Sequence, residues 1–310
     1  MKMRVGTRGS ELSLAQTREA LQLLKEAHPD LEAEVIVYRT HGDQDVKTPL
    51  YLMPMKGVFE RAIDEALLRG EIDAAVHSMK DCPTDLAEEL YIAAVPPRRS
   101  PLDAFVSKDG RRIEELRAGS MVGTSSPRRM AFLRFIRRDL SVEPIRGNVD
   151  TRVRKLMEGS YDGVVLAEAG LLRLGLKVDY QVLPKDLFVP ACGQGALAVV
   201  CRREDERLRR LLAAIDDASS RFEVEAERAV LRRLQAGCRT PVGVNFEAKD
   251  GRYIGRLMMV SPDYAKRVLV AKEVEGATPE AAAGELVKAF EAEGGMRIFE
   301  AWRRLEAEAP

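Results

Sequence analysis

The sequence predicts an α/β protein built on mixed, mostly parallel sheets and followed by a small α+β domain. Three observations point there. Up to about residue 200, short apolar runs alternate with amphipathic stretches of helical period, the βαβ rhythm of a sheet covered on both faces. From Arg221 the pattern changes to one helix, consecutive strands and closing helices. A chain of 310 residues also exceeds what one hydrophobic core covers, so two or three domains are expected.

Lys2–Thr7 reads as a strand and Glu11–Ala27 as a helix, with Ser10 placed to cap it. Val35–Thr40 is the next strand. Gly57–Leu68 is a helix because Val58, Ile63, Leu67 and Leu68 fall near one face. Ile72–His77 and Tyr91–Val95 are strands. Val95-Pro-Pro-Arg-Arg-Ser-Pro101 marks a boundary, since closely spaced prolines prevent regular structure. A second unit follows, with strands Ala104–Ser107, Met121–Thr124, Val142–Ile145 and Val164–Ala167 and helices beginning near Pro127, Val149 and Ala169. Pro184 and Pro190 frame a crossing, and Ala196–Cys201 is a strand able to return to the first sheet. A helix from Arg221 to about Gln235 is expected to end at Gly237 in a left-handed cap. Val242–Ala248, Tyr253–Val260 and Val268–Glu273 are strands, and helices close the chain from Pro279. The domains read as 1–97 with a return segment 196–214, then 101–190, then 218–310.

Hydrophobic residues make up 45% and charged residues 32%, a globular balance. Lys+Arg equals Asp+Glu at 49 each, and aromatics are only 5%, so neither the basic field nor the stacking platforms of a nucleic-acid binder are expected. Cys82, Cys192, Cys201 and Cys238 show no CxxC spacing and the histidines are dispersed, which argues against a metal site and for a reducing compartment. No apolar run suits a signal peptide or a membrane span, so the expectation is a cytoplasmic protein with no membrane partner.

Two segments hold four arginines among glycines and hydroxylic residues: Gly123-Thr-Ser-Ser-Pro-Arg-Arg129 and Arg146-Gly-Asn-Val-Asp-Thr-Arg152. Arginine's planar, permanently charged fork grips carboxylate or phosphate through paired hydrogen bonds. Ser126 before Pro127 reads as an N-cap with proline at the first helical position. Thr124 and Ser125 are hydroxyl donors at that helix mouth. Asn148 can cap the next helix, whose start Arg146 and Arg152 flank. Cations there oppose the helix dipole and are better tolerated with an anion between them. Arg8-Gly9-Ser10 repeats the theme at the first strand-to-helix turn. A capped surface helix with solvated arginines stays open for each segment alone; the recurrence favours one ligand with several acid groups.

A further buried strand ends in Lys80-Asp81, where open α/β sheets gather ligands. A carboxylate there can hold a developing cation or move a proton, and a lysine can bind an acid; a weak local ion pair is the alternative. His77 reads as part of the strand's packing. Cys238, beside Arg239 just past a helix end, is either a partly ionised nucleophile or an ordinary structural thiol.

Taken together, Gly6-Thr-Arg-Gly-Ser10, His77-Ser-Met-Lys-Asp81, Asp103-Ala-Phe-Val-Ser107, Gly123-Thr-Ser-Ser126 with Arg128-Arg129, Arg146-Gly-Asn-Val149 with Thr151-Arg152, Gly193-Gln-Gly-Ala196 and Gly237-Cys238 resemble the porphobilinogen deaminase (hydroxymethylbilane synthase) family, in its order and across nearly the whole chain. The resemblance implies a transferase of tetrapyrrole (haem or sirohaem-type) biosynthesis. It joins four porphobilinogen molecules head to tail with loss of ammonia, then releases linear hydroxymethylbilane by hydrolysis. It implies a dipyrromethane cofactor held by a thioether at Cys238 and a catalytic carboxylate at Asp81. Lys80, Thr124, Ser125, Ser126, Arg128, Arg129, Arg146 and Gly147 fall on cofactor-binding positions. Arg8, Ser10, Arg146, Arg152, Gln194, Lys56 and Phe59 fall on substrate-binding ones. The implied fold has two lobes like those of type II periplasmic binding proteins, a third domain carrying Cys238, and a flap over about residues 41–56; a monomer is implied. His41, Met53-Pro-Met55, Cys82 and Cys192 depart from the family's usual residues. Two other classes are a non-catalytic two-lobed binding protein for an acidic solute, and a phosphate-recognising sugar enzyme or RNA binder; the thiol on a third domain and the zero net charge disfavour them.

Overall fold

The computed structural model describes residues 2–38, 61–237 and 240–308. The first sheet is formed by β1 (Lys2–Arg8), β2 (Glu32–Tyr38), β3 (Ala74–Ser78), β4 (Leu90–Ala94) and β10 (Leu197–Arg202), in the order β2-β1-β3-β10-β4. The second contains β5 (Asp103–Ser107), β6 (Met121–Gly123), β7 (Ser141–Glu143), β8 (Gly163–Ala167) and β9 (Tyr180–Leu183), in the order β7-β6-β8-β5-β9. The pattern is the same in both. One strand arrives from the other lobe, takes fourth place and runs against its neighbours: β10 is antiparallel to β3 and β4, and β5 to β8 and β9. This is the mixed, mostly parallel arrangement expected of the two lobes, four strands running one way and one against them. The third sheet is a plain antiparallel meander of β11 (Val242–Lys249), β12 (Arg252–Val260) and β13 (Arg267–Val274).

The helices follow from local chemistry. Helix α1 (Glu11–Ala27) starts where Ser10 accepts a hydrogen bond from the Ser13 amide at 3.1 Å. Its Thr17 hydroxyl donates to Ser13 O and shares a hydroxyl–hydroxyl hydrogen bond with Thr7 Oγ1, which pins the helix to β1. Helix α2 spans Arg61–Leu68, and α3 (Pro127–Ile136) has proline at its start. Helices α4 (Val149–Met157), α5 (Glu168–Leu174) and α6 (Glu206–Leu212) complete the lobes; α7 (Ala218–Leu234), α8 (Pro279–Ala292) and α9 (Gly295–Glu308) belong with the third sheet.

Each sheet is covered on both faces or closed by helices. Met3, Val5, Ala74 and Val199 face one cluster of the first lobe, and Ala75, Ala198 and Val200 face the other. In the second lobe, Phe105, Phe132 and Phe188 share a cluster with Met258 and Val260 of β12, so the third domain packs on that lobe through a common core. Burying each such side chain contributes roughly 2 kcal/mol.

Three details differ from the sequence reading. Helix α7 begins at Ala218 and is closed by Gln235 at φ 52°, not by Gly237. The Gln235 and Ala236 amides bond back to Arg232 O and Leu231 O, so the left-handed cap is complete before the glycine is reached. Strand β9 is short and half-exposed and α6 is brief and highly charged, and neither carries enough apolar periodicity to be legible. Asn148 occupies the N-cap position of α4 but its side chain makes no capping bond.

Candidate active site

The reversed strands decide where the site lies. The carboxyl ends of β1, β3 and β8 and the starting end of the antiparallel β10 all come to one side of the molecule. Between them opens a cavity of about 590 Å³, lined among others by Arg8, Ser10, Ser78, Lys80, Asp81, Ala167 and Ala196. Facing loops from the second lobe add Arg129, Arg146, Gly147, Thr151, Arg152 and, from α5, Arg173. This is a pocket of ordinary ligand size between two lobes.

Lys80 and Asp81 are delivered by a short 3-10 turn, Met79–Asp81, that continues β3. The turn is held from behind: the Met79 amide donates to Ala196 O at 3.0 Å. Gln16 on α1 and Ser78 exchange side-chain hydrogen bonds at 2.7 and 3.0 Å beside it. Lys80 keeps surface open to the cavity, so water moderates the lowering that the surrounding walls impose on its pKa. Asp81 pulls that pKa the other way, and Arg129 pushes it further down.

The Arg146 loop needs glycine at its centre. Gly147 sits at φ 110°, and a Cβ there would come within 2.6 Å of the Thr151 side chain. Its carbonyl accepts from Arg152 Nε at 2.8 Å, which turns that guanidinium across the mouth of α4. Arg146 O accepts from Lys155 Nζ at 3.1 Å. Burial, then Arg129 and Arg146, push the Arg152 pKa down to about 10, with Asp81 acting in the opposite direction. Burial is the larger cause, and the crowding of like charges that adds to it is a condition a bound polyanion relieves.

The other arginine loop is built differently. Arg128 Nη1 donates to Asp103 Oδ2 at 2.7 Å and to Val189 O at 2.8 Å. Arg129 donates to Asp103 Oδ1 at 2.8 Å, to Val165 O at 3.0 Å and to Gln194 Oε1 at 3.2 Å. Asp103 is fully buried; burial alone would raise its pKa, but Arg128 and Arg129 outweigh that and hold it at about 2. Ser125 Oγ bonds Ile145 O and the Ile145 amide, Thr124 Oγ1 accepts from the Ser126 amide, and Ser126 Oγ caps the Arg129 amide. These hydroxyls hold the loop to its neighbour.

Of the residues proposed from sequence, Arg8, Ser10, Lys80, Asp81, Arg129, Arg146, Gly147 and Arg152 therefore meet on one cavity wall. Thr124, Ser125, Ser126, Arg128 and Gln194 are not among the described residues of that wall. Gln194 is buried behind it, donating to Pro101 O and Asp103. Cys238, Lys56, Phe59, His41 and the flap over 41–56 lie outside the described residues. Sequence reading missed Gln16 and Arg173 on the wall and Asp103 behind it; Asp103 stood in a quoted motif, but nothing local says that it turns toward two arginines. Cys192 is half-buried with its thiol pKa pushed up to about 12 by burial, and Cys82 is buried, so both stand as packed thiols.

Known proteins match this sequence over most of its length. The family model of the dipyromethane cofactor-binding domain of porphobilinogen deaminase matches residues 3–210, and that of its C-terminal domain matches residues 221–293. The chain is 48% identical over 276 residues to the porphobilinogen deaminase of Rubrobacter xylanophilus, covering 89% of each. It is 47% identical over 254 residues to the probable enzyme of Methanopyrus kandleri, covering 81% of this chain and 85% of that one. It is 39% identical over 300 residues to that of Desulforamulus reducens, covering 96% and 97%. With its two domain models in order and a cation-crowded cavity at the strand ends, the chain belongs to the porphobilinogen deaminase family.

Proposed function

We propose that the chain is a hydroxymethylbilane synthase, a transferase that condenses porphobilinogen head to tail on a dipyrromethane cofactor and frees the linear tetrapyrrole with water. The observation that supports it best is the charge balance of one cavity: among the described residues of its wall, Arg8, Lys80, Arg129, Arg146 and Arg152 surround a single exposed carboxylate, Asp81. The donor set suits the cofactor. Each pyrrole carries an acetate and a propionate, and a wall of guanidiniums with crowded charge binds such groups in pairs.

In this reading, Cys238 holds the cofactor as a thioether, a bond that resists the water that releases product. The cofactor supplies the pyrrole carbon that attacks. Arg129, Arg146 and Arg152 bind and orient the acid side chains; Arg8, Ser10 and Lys80 do the same for the incoming porphobilinogen. Lys56, Phe59 and Gln194 are the remaining candidates, with Gln194 acting through Arg129. Thr124, Ser125, Ser126 and Arg128 serve by holding the Arg129 and Arg146 loops in place. Asp81 stabilises the positive charge that develops on pyrrole nitrogen as ammonia leaves. It also receives the proton given up when the new carbon–carbon bond forms. The three sheets with their helices serve as domains 1–97 with 196–214, 101–190 and 218–310.

The reading includes a monomer in the cytoplasm. Among the described residues, no helix is long and apolar enough to cross a membrane, and no His/Cys/Asp/Glu group is arranged to hold a metal. Intact-protein mass spectrometry tests the assignment: the purified protein should weigh more than its sequence by two pyrrole units, and Cys238→Ser should lose that excess. An unmodified mass in protein that turns over porphobilinogen overturns the attachment, and no turnover by modified protein overturns the activity.

A further inference from the structure

Arg173 differs from the other cations of the cavity wall. Its side chain is almost fully buried, and it donates Nε to Glu19 Oε2 at 2.9 Å and Nη2 to Gly195 O at 3.0 Å. Glu19 sits on α1 of the first lobe and Arg173 on α5 of the second, so the pair crosses between lobes. The second oxygen of Glu19 accepts from Arg99 Nε at 3.1 Å. Arg99 lies on the segment leaving the first lobe, and Gly195 on the segment returning to it. The two segments touch here: the Arg99 amide donates to Gly195 O, and a Cβ on Gly195 would lie 2.4 Å from Ser100 O. One carboxylate thus joins both lobes at their crossover. Burial tends to raise the Glu19 pKa, but Arg173 and Arg99 lower it overall, so the latch is charged.

We propose that Glu19 is a positioning residue, a resident counter-anion that latches the lobes through Arg173 and is displaced there by a carboxylate of the growing chain. The proposal rests on the function given above. Each condensation adds two carboxylates, while the wall offers a fixed set of cations. Among the described residues, once Arg8, Arg129, Arg146 and Arg152 are engaged, Arg173 is the remaining wall guanidinium, and Glu19 is the anion that holds it, beside its bond to Gly195 O. Exchange there costs an ion pair and gains one, so it is nearly balanced and responds to the number of acid groups present. Loss of the Glu19 contact lets α1 and α5 separate, which gives space to a longer chain.

Glu19→Gln in the cofactor-loaded protein tests this, with Glu19→Asp restoring the charge. Removing the competing anion should lower KM for porphobilinogen about fivefold, the worth of one partly exposed ion pair, with kcat changed less. Amide hydrogen exchange at Thr17–Leu21 and Leu171–Leu174 of the resting variant should speed up, and Glu19→Asp should reverse both effects in part. Arg99→Gln, which changes an exposed partner of Glu19, should shift both readouts the same way by less. An unchanged KM, or exchange that rises everywhere with KM constant, overturns the latch. The exchange comparison needs no turnover, so inactive wild-type protein would count against the function and leave the latch to be judged on exchange alone.

Discussion

The two arginine loops each carry two arginines, a glycine and a threonine, and they meet different fates. In Gly123–Arg129, both guanidiniums turn onto Asp103, a carboxylate that the protein supplies, and only Arg129 also borders the cavity. In Arg146–Arg152, the guanidiniums border the cavity, and Arg152 is crowded by Arg129 and Arg146. The difference comes from strand direction. Because β5 is reversed, its first residue, Asp103, pairs with Ala167 at the cavity end of β8 and arrives directly beneath α3. The same residue type is a brace where a buried anion has been built in, and a receptor where cations outnumber anions.

The contrast can be broken or sharpened by experiment. The largest effect is expected from Asp81→Asn, which should cut turnover by about a hundredfold or more while leaving the melting temperature in place; a near-normal rate would remove Asp81 from the chemistry. Arg128→Leu comes next. It leaves part of the Asp103 charge unmatched in the interior and should cost about 3 kcal/mol of stability in denaturant unfolding, and an unchanged midpoint would refute the brace. Acid unfolding gives a third test. Asp103 is held at about 2 against an ordinary 3.8, so its contribution is complete above the ordinary value and is lost as pH falls toward 2. About 2 kcal/mol should disappear over that range, and Asp103→Asn protein should lack the slope; parallel acid curves would contradict the coupling. The smallest effect belongs to Arg152→Leu. It should slow chain elongation or cofactor loading about tenfold, roughly one lost charged contact, with no loss of stability because it relieves crowding. Destabilisation equal to that of Arg128→Leu would erase the distinction between the loops.

Much of the fold was legible because the signals were local. Ser10 and Pro127 mark helix starts by chemistry that does not depend on the rest of the chain, and the apolar runs of β3 and β8 are nearly continuous. The return of residues 197–202 to the first sheet was legible from the prolines that frame the crossing. Within the site, Asp81 and the Arg146 loop were found from strand-end position and spacing. What escaped was every partner fixed by long-range contact. Arg128 and Arg152 read alike until Asp103 is seen beneath one of them. Arg173 and Glu19 are 154 positions apart and neither lies in a distinctive motif. The cap at Gln235 was missed for a different reason: a residue other than glycine can close a helix when its own amide and the next one find carbonyls, so glycine two residues later was a misleading sign.

Glu227 on α7 has a consequence for motion. This fully buried carboxylate accepts from Arg98 at 2.7 and 3.1 Å, from the Gly193 amide at 2.7 Å, and from the Phe246 amide and Asn245 at 2.9 and 3.0 Å. Arg98 and Gly193 stand on the two cords that run between the lobes, while Asn245 and Phe246 belong to the third sheet. The pivot of any opening or closing is therefore tied to the third domain through Glu227, with Ser220 and Glu223 of the same helix also holding Arg98. Any movement of the lobes about these cords thus turns on a carboxylate that the third domain supplies.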